Sequence, residues 1–240
     1  MPNCRIHLDH SLQTGQEIVI PDEIAHYLRH VMRLNSGDAI TVFNGEGGEY
    51  SATLTHLAKR HAACHIDAWH NIERELPCRI HIIQCANRTE KIETVLQKAT
   101  ELGAASFQIS DSERATLKLP PEKAARRLQR WQKIILEACE QSERTRVPDV
   151  RWCSALKQTE PVGQAYILHP HKATPWAELR DKLRGAEEIT FAIGPEGGWS
   201  ERDLATLRDK GFASLTFGPR IMRTETAAPA LVAAMQAILD

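Results

Sequence analysis

Apolar residues in the first 75 positions come in short runs. Ile18-Val19-Ile20, Ala39-Ile40-Thr41-Val42-Phe43, Tyr50-Ser51-Ala52-Thr53-Leu54 and Ala63-Cys64-His65-Ile66 are bounded by Gly, Asn, Asp and Pro. That is the pattern of short strands separated by turns. Asn44-Gly45 followed by Gly47-Gly48 marks a turn between the second and third runs. One stretch changes period: Asp22 is placed to cap a helix reaching Leu34, with Ile24, Leu28, Val31 and Met32 on its apolar face. Together these predict a small β-barrel module. The charged, proline-ended link Asn71–Pro77 closes it, giving domains 1–73 and 74–240.

Beyond the link, strand and helix periods alternate. Arg79–Gln84 reads as a strand, followed by a helix capped by Thr89 and stopped by Gly103. Ile92, Val95, Leu96, Ala99 and Leu102 form that helix's buried stripe. Ala104–Ile109 is the next strand. A long helix from Pro121 to Ser142 places Ala124, Leu128, Trp131, Ile135 and Ala138 at helical spacing. Ala165–Leu168 and Ile189–Ile193 are short apolar strands. A helix from Ser200 to Lys210, a strand Ser214–Phe217 and a closing helix from about Thr226 complete the chain. Such alternation predicts an α/β domain with a mostly parallel sheet, whose ligands sit beyond the carboxyl ends of the strands.

Composition adjusts this picture in three places. Hydrophobic residues make up 42% and charged residues 25%, which suits a globular chain rather than a disordered one. The net charge of −1 conceals a basic stretch, Arg114 to Lys133, with seven Lys or Arg against the single acid Glu122. Residues 1–75 are the reverse, six Lys or Arg against ten acids. A local basic stretch permits a phosphate-bearing partner, though a solvated helix face explains it equally well. The six cysteines form no CxxC pair, and the histidines lack a second half-site, so no metal is expected. No apolar run is long enough for a membrane span and the N-terminus has no apolar signal core, so a cytoplasmic protein with reduced thiols is expected.

Three strands run into loops of unusual composition. Leu168 leads to His169-Pro170-His171-Lys172, and Ile193 to Gly194-Pro195-Glu196-Gly197-Gly198-Trp199. Phe217 leads to Gly218-Pro219-Arg220-Ile221-Met222-Arg223-Thr224-Glu225-Thr226-Ala227. All three follow carboxyl ends of expected parallel strands, so one crevice is available to them. Glycines let backbone N–H and C=O groups approach a flat ligand closely. Singly, each has a plainer explanation: GPEGG as a tight turn before a helix, RTET as a cap. Phosphate-loop, dinucleotide-fold and nucleophile-elbow motifs are absent from the sequence.

These residues resemble a known family. LQKATELG (96–103), SER (112–114), RW…EACEQSERTRVP (130–148), GPEGG (194–198) and GPRIMRTETA (218–227) are similar, in that order, to the ribosomal small-subunit methyltransferase E (RsmE) family of the SPOUT class. Val31-Met32-Arg33-Leu34, Gly37-Asp38 and Phe43-Asn44-Gly45 extend the likeness to the first domain. Met222 stands where Leu is usual and Asn44 where Asp is common. A Leu-to-Met exchange conserves volume.

The resemblance implies a PUA-like RNA-binding barrel followed by a SPOUT domain with a trefoil knot. It also implies a homodimer with RNA crossing the subunit interface. The implied reaction is methylation of uridine N3 in the decoding region of 16S rRNA in the small ribosomal subunit, with S-adenosyl-L-methionine (SAM) as methyl donor. By resemblance Leu168, His169 and Pro170 line one wall of the cofactor pocket. Ile193, Gly194, Gly197 and Gly198 line a second, and Phe217, Gly218, Ile221, Met222 and Thr226 close it. For His169 a solvent-facing strand end is the equal alternative. Uridine N3 is a poor nucleophile until its proton leaves, which calls for a proton acceptor and an anion stabiliser. Arg223 is the candidate stabiliser, since a guanidinium donates two bonds. Glu196 and Glu225 are the candidate acceptors; for Glu225 a carboxylate favoured at a helix N-terminus is the stronger reading. RNA contacts are expected from Arg5, Arg33, Lys91, Lys98, Arg114, Arg130 and Arg144, with surface salt bridges as the alternative for about half of them by the general behaviour of exposed charges. Two other functions stay open at this point: a non-catalytic RNA-binding or ribosome-assembly protein, and a SPOUT enzyme for another base or for transfer RNA.

Overall fold

The computed structural model describes residues 4–58, 61–171 and 173–239, so Lys172 of the first strand-end loop lies outside the described residues. The chain forms two compact units, Met1–Glu75 with Cys139–Val147, and Leu76–Ala138 with Pro148–Asp240. The first unit is therefore discontinuous in sequence, unlike the single boundary expected from the charged link.

The first unit contains β1 (Arg5–His7), β2 (Glu17–Val19), α1 (Asp22–His30), β3 (Ala39–Phe43), β4 (Glu49–Leu57) and β5 (Ala62–His70). One five-stranded sheet runs β1-β3-β4-β5-β2, with β1 parallel to β3 and the other pairs antiparallel. Period-two alternation sorts its faces. Ala52 and Leu54 of β4 join Ile40, Val42, Cys64 and Ile66 in the core, where Leu28 of α1 also packs. On the other face, Thr53 Oγ1 bonds Asp67 at 2.8 Å and Thr55 Oγ1 bonds Glu17 at 2.7 Å. Two details of α1 differ from expectation. Asp22 is its first helical residue, behind a Pro21 N-cap without a side-chain bond, so it serves the helix dipole rather than capping it. The helix stops at His30; Val31, still in αR as the C-cap, is 63% exposed rather than buried, and the chain turns away at Arg33, φ 55°.

The second unit carries β6 (Arg79–Cys85), α2 (Thr89–Glu101), β7 (Ala104–Ser110), most of α3 (Pro121–Ser142), β8 (Asp149–Cys153), β9 (Gln164–Leu168), β10 (Thr174–Pro175), α4 (Trp176–Arg184), β11 (Glu188–Ile193), α5 (Glu201–Asp209), β12 (Ala213–Thr216) and α6 (Thr224–Leu239). Among the described residues its seven strands are all parallel, in the order β10-β12-β9-β11-β6-β7-β8. The α/β class with a parallel sheet is as expected. The apolar run in β6 is buried on both faces (Ile80, Ile82, Ile83 and Cys85), as a central parallel strand requires. Ile92, Val95, Leu96 and Ala99 of α2 are buried as their spacing predicts. Thr89, expected to cap α2, is instead its first residue behind Arg88. In α3, Trp131, Ile135 and Ala138 are buried, whereas Ala124 and Leu128 are only half-covered. Ser200 caps α5 in a full capping box with Asp203.

Candidate active site

Strands β12, β9 and β11 are neighbours, and their registers pair Leu215 with Leu168 and Ile167 with Ala192. Their carboxyl ends are therefore level, and the loops that follow surround a cavity of about 450 Å³. The three loops are stitched together. Trp199 Nε1 donates to the Leu168 carbonyl at 3.1 Å, and Thr216 Oγ1 to the His169 carbonyl at 2.7 Å. The His169 N–H donates to the Leu215 carbonyl at 2.9 Å, carrying the sheet pairing one residue into the loop. A Cβ on Gly194 would stand 3.0 Å from the Trp199 ring, so only glycine lets the indole lie against the backbone there. Gly218, at φ 69°, turns the chain directly after β12 in the left-handed region.

Of the twelve residues expected around a cofactor, ten border this cavity: Leu168, His169, Pro170, Ile193, Gly194, Gly198, Phe217, Gly218, Ile221 and Met222. Gly197 and Thr226 do not. The Gly197 carbonyl accepts a bond from Arg114 Nη1 at 3.0 Å, and Thr226 is an exposed residue of α6. The wall also includes Pro195, Trp199, Thr216, Arg220, Thr224 and Ala227. Most of these belong to the same loop motifs, so their sequence signal was present but unassigned.

Charge is concentrated on one side. Lys91, from the first turn of α2, borders the cavity and places Nζ 2.5 Å from Glu196 Oε1 and 3.3 Å from Glu225 Oε2. Its pKa is raised, first by the bond to Glu196. Expected as an RNA contact, Lys91 is instead engaged in the cavity wall. Burial pushes the Glu225 carboxyl up, but its own backbone N–H, Lys91 and Thr224 outweigh this and hold it below the usual range. Glu225 is thus a poor proton acceptor and a good anchor. Thr224 Oγ1 donates to Glu225 Oε2 at 3.2 Å and accepts from the buried Asn87 Nδ2 at 2.7 Å. Arg223 also borders the cavity; its side chain is 83% exposed, with Nη1 4.0 Å from Glu225 Oε1.

The remaining basic candidates separate sharply. Arg5 is buried: Nε reaches Glu49 at 3.2 Å, Nη1 the Cys139 carbonyl at 3.1 Å and Nη2 the Arg144 carbonyl at 2.7 Å. Arg144 is buried too, paired through Nε with Glu75 at 2.9 Å and through Nη2 with the other oxygen of that carboxylate. Neither guanidinium can reach a phosphate, so both assignments are corrected to internal structure. Lys98 pairs with Glu101 at 2.9 Å and Arg130 with Glu93 at 3.2 Å, both on the surface. Arg33 and Arg114 are exposed.

A family model described as an RNA methyltransferase domain matches residues 74–236, and one described as an RNA methyltransferase PUA domain matches residues 20–67. The ribosomal RNA small subunit methyltransferase E of Bacillus subtilis is 31% identical, over 89% of this chain and 84% of its own length. A crystal structure of the Neisseria gonorrhoeae ribosomal RNA small subunit methyltransferase E bound to S-adenosyl methionine superposes with a TM-score of 0.89 at 34% identity, covering 98% of each chain. A putative methyltransferase from Legionella pneumophila, in complex with SAM, superposes with a TM-score of 0.90 at 32% identity, covering 99% of this chain and 98% of that one.

Proposed function

The chain belongs to the ribosomal RNA small subunit methyltransferase E family, and from that premise we propose that it transfers a methyl group from SAM to N3 of a uridine in the decoding region of 16S rRNA. The observation that carries the reading is the cavity that joins the ends of β9, β11 and β12. Its volume of about 450 Å³ falls within the range of roughly 300–1,000 Å³ typical of small-ligand sites. The walls suit a flat purine and the aliphatic carbons of the ligand. Leu168, Ile193, Phe217 and Met222 supply apolar contact, while the glycine-rich turns bring backbone donors and acceptors to the surface.

SAM supplies a methyl carbon on a positively charged sulfur, open to a nucleophile approaching in line. The protein's task is then alignment of a weak nucleophile and stabilisation of its anion. Arg223 stands at the cavity with its guanidinium in solvent, where it can donate to the carbonyl-flanked uracil anion. Glu196 borders the cavity and is assigned the N3 proton, directly or through a water, at Oε2, since its Oε1 is bonded to Lys91 at 2.5 Å. Glu225, held ionised, fixes the start of α6 instead. The same proposal includes a homodimer with RNA across the subunit interface, a trefoil knot in the second unit and a cytoplasmic setting. Six buried free thiols suit a reducing compartment.

The test is methyl transfer from labelled SAM to small ribosomal subunits lacking the modification, followed by nucleoside analysis. The expected product is 3-methyluridine. Arg223→Ala is expected to lose on the order of 100-fold or more in kcat, as for other lost anion donors, with SAM affinity nearly unchanged. A different methylated nucleoside removes the uridine assignment and leaves the class intact. Neither SAM binding nor transfer would return the chain to a non-catalytic RNA-binding role.

A further inference from the structure

The charged cluster beside the cavity joins parts of the chain that are far apart in sequence. Lys91 comes from α2, Glu196 from the loop after β11 and Glu225 from the first turn of α6, and a single ammonium contacts both carboxylates, at 2.5 and 3.3 Å. A second tie lies behind it: Asn87, fully buried in the loop between β6 and α2, donates to Thr224 at the start of α6, and Thr224 donates to Glu225. Elsewhere the loop 194–199 is held by few bonds. Trp199 reaches Leu168, Arg114 reaches the Gly197 carbonyl, and Gly198 N–H bonds Pro195 within the loop itself.

We propose that Lys91 is a positioning residue that fastens the loop after β11 to the start of α6 and thereby holds the cofactor cavity in shape. The proposal rests on the SAM reading above. An exposed ion pair is ordinarily worth little, because each partner is readily solvated alone. This cluster differs in stoichiometry. Removing the ammonium they share leaves two carboxylates beside a cavity, screened on the Glu225 side by the exposed Arg223 Nη1 at 4.0 Å, and their repulsion acts directly between the two segments that must stay together. Glu196 would swing outward, taking Pro195 and Gly197 with it, and Arg223 would lose its neighbour's fixed position.

Lys91→Met keeps the length of the side chain and removes its charge. Binding of SAM is measured by calorimetry without RNA. Lys91→Met is expected to bind about tenfold more weakly, and Lys91→Arg within about threefold of the parent. The double variant Lys91→Met with Glu225→Gln, which relieves the repulsion, recovers most of the loss. Hydrogen–deuterium exchange in the absence of any ligand is expected to rise in residues 194–199 of Lys91→Met and to return in the double variant. A general loss of stability would not be repaired by removing a second charge. Unchanged SAM affinity and unchanged exchange in Lys91→Met would overturn the proposal, as would failure of the double variant to recover either. If the parent protein itself does not bind SAM, the cofactor reading falls, and the exchange measurement alone decides whether Lys91 fastens the two segments.

Discussion

A guanidinium taken out of water needs a counter-charge and further acceptors, and Arg144 and Arg5 obtain both inside the first unit. Glu49 is shared by Arg5 at 3.2 Å and Arg74 at 3.1 Å, while the Arg5 guanidinium lies 3.8 Å from the centre of the Phe43 ring. Burial lowers the Arg5 pKa, with Glu49 opposing it. Such pairs are costly to break, because the surviving partner is left charged and dry. Arg144→Ala is therefore expected to cost about 3–5 kcal/mol of stability, read from urea unfolding midpoints. A loss under about 1 kcal/mol would mean that the pair behaves as an exposed one. Charge was visible in the sequence at both positions, but exposure was not. β1 is three residues long, too short for alternation to show that Arg5 points inward. Arg144 follows Glu143 at φ 61°, a turn that resembles an exposed helix end until its contacts are known. Lys91 departs from its expected role for a related reason: its turn at the start of α2 meets two acids from remote segments, which no local pattern encodes.

At the scale of elements, long periodic segments were legible and short ones were not. α2 and the buried strands β6, β9 and β11 carry apolar runs that leave little choice of state. β8 is an edge strand whose Asp149-Val150-Arg151-Trp152 alternation is only five residues long with Cys153 and half-covered on its apolar side, and α4 buries only Leu183, so neither carries a strong signal. The glycine loops announced themselves by composition, yet their convergence depends on the strand order, in which β11 lies between β6 and β9. That order follows from packing over the whole sheet, not from any local residue pattern. Strand β6 also carries a titratable group that tests the burial of its start. His81 has a 5% exposed side chain, with Nδ1 2.7 Å from Ser106 Oγ and Nε2 3.7 Å from Glu188. Burial, then Arg79, lowers its pKa from 6.5 against the pull of Glu188. The folded protein thus holds the ring neutral where the unfolded chain would take up a proton. The stability tied to this group is fully present above about pH 6.5 and is lost as pH falls towards the folded value. Unfolding midpoints measured from pH 8 to pH 5 are expected to drop below pH 6.5, and His81→Leu should make that drop shallower. His7, whose pKa burial also lowers, leaves a residual slope. An identical slope in His81→Leu would assign the whole effect elsewhere.

For the whole molecule, 30 Lys and Arg stand against 31 Asp and Glu, so net charge gives no pull towards a polyanion. RNA affinity must come from particular cations that face solvent. Among the basic residues expected to contact RNA, Arg5 and Arg144 are internal and Lys91 is clamped. Lys98 and Arg130 would first have to leave Glu101 and Glu93. Exchanging one anionic partner for another gains less than recruiting a solvated cation, because the first ion pair must be given up. Arg33 is exposed, just past α1 in the first unit, while the cavity belongs to the second. If the first unit grips the rRNA backbone there, Arg33→Ala should weaken binding at every salt concentration. It should also reduce the slope of log K against log salt by roughly 0.7–0.9, the share of one phosphate contact. SAM affinity measured without RNA should not move. Arg130→Ala should change the slope less, since its loss also leaves Glu93 with only the longer contact to Arg127 at 4.0 Å. If the Arg33 variant keeps the parent slope, the first unit's contact with RNA does not run through this residue. Exposed Arg114 and the cations of α3, of which Arg130 is tied to Glu93, would then be the residues to vary next.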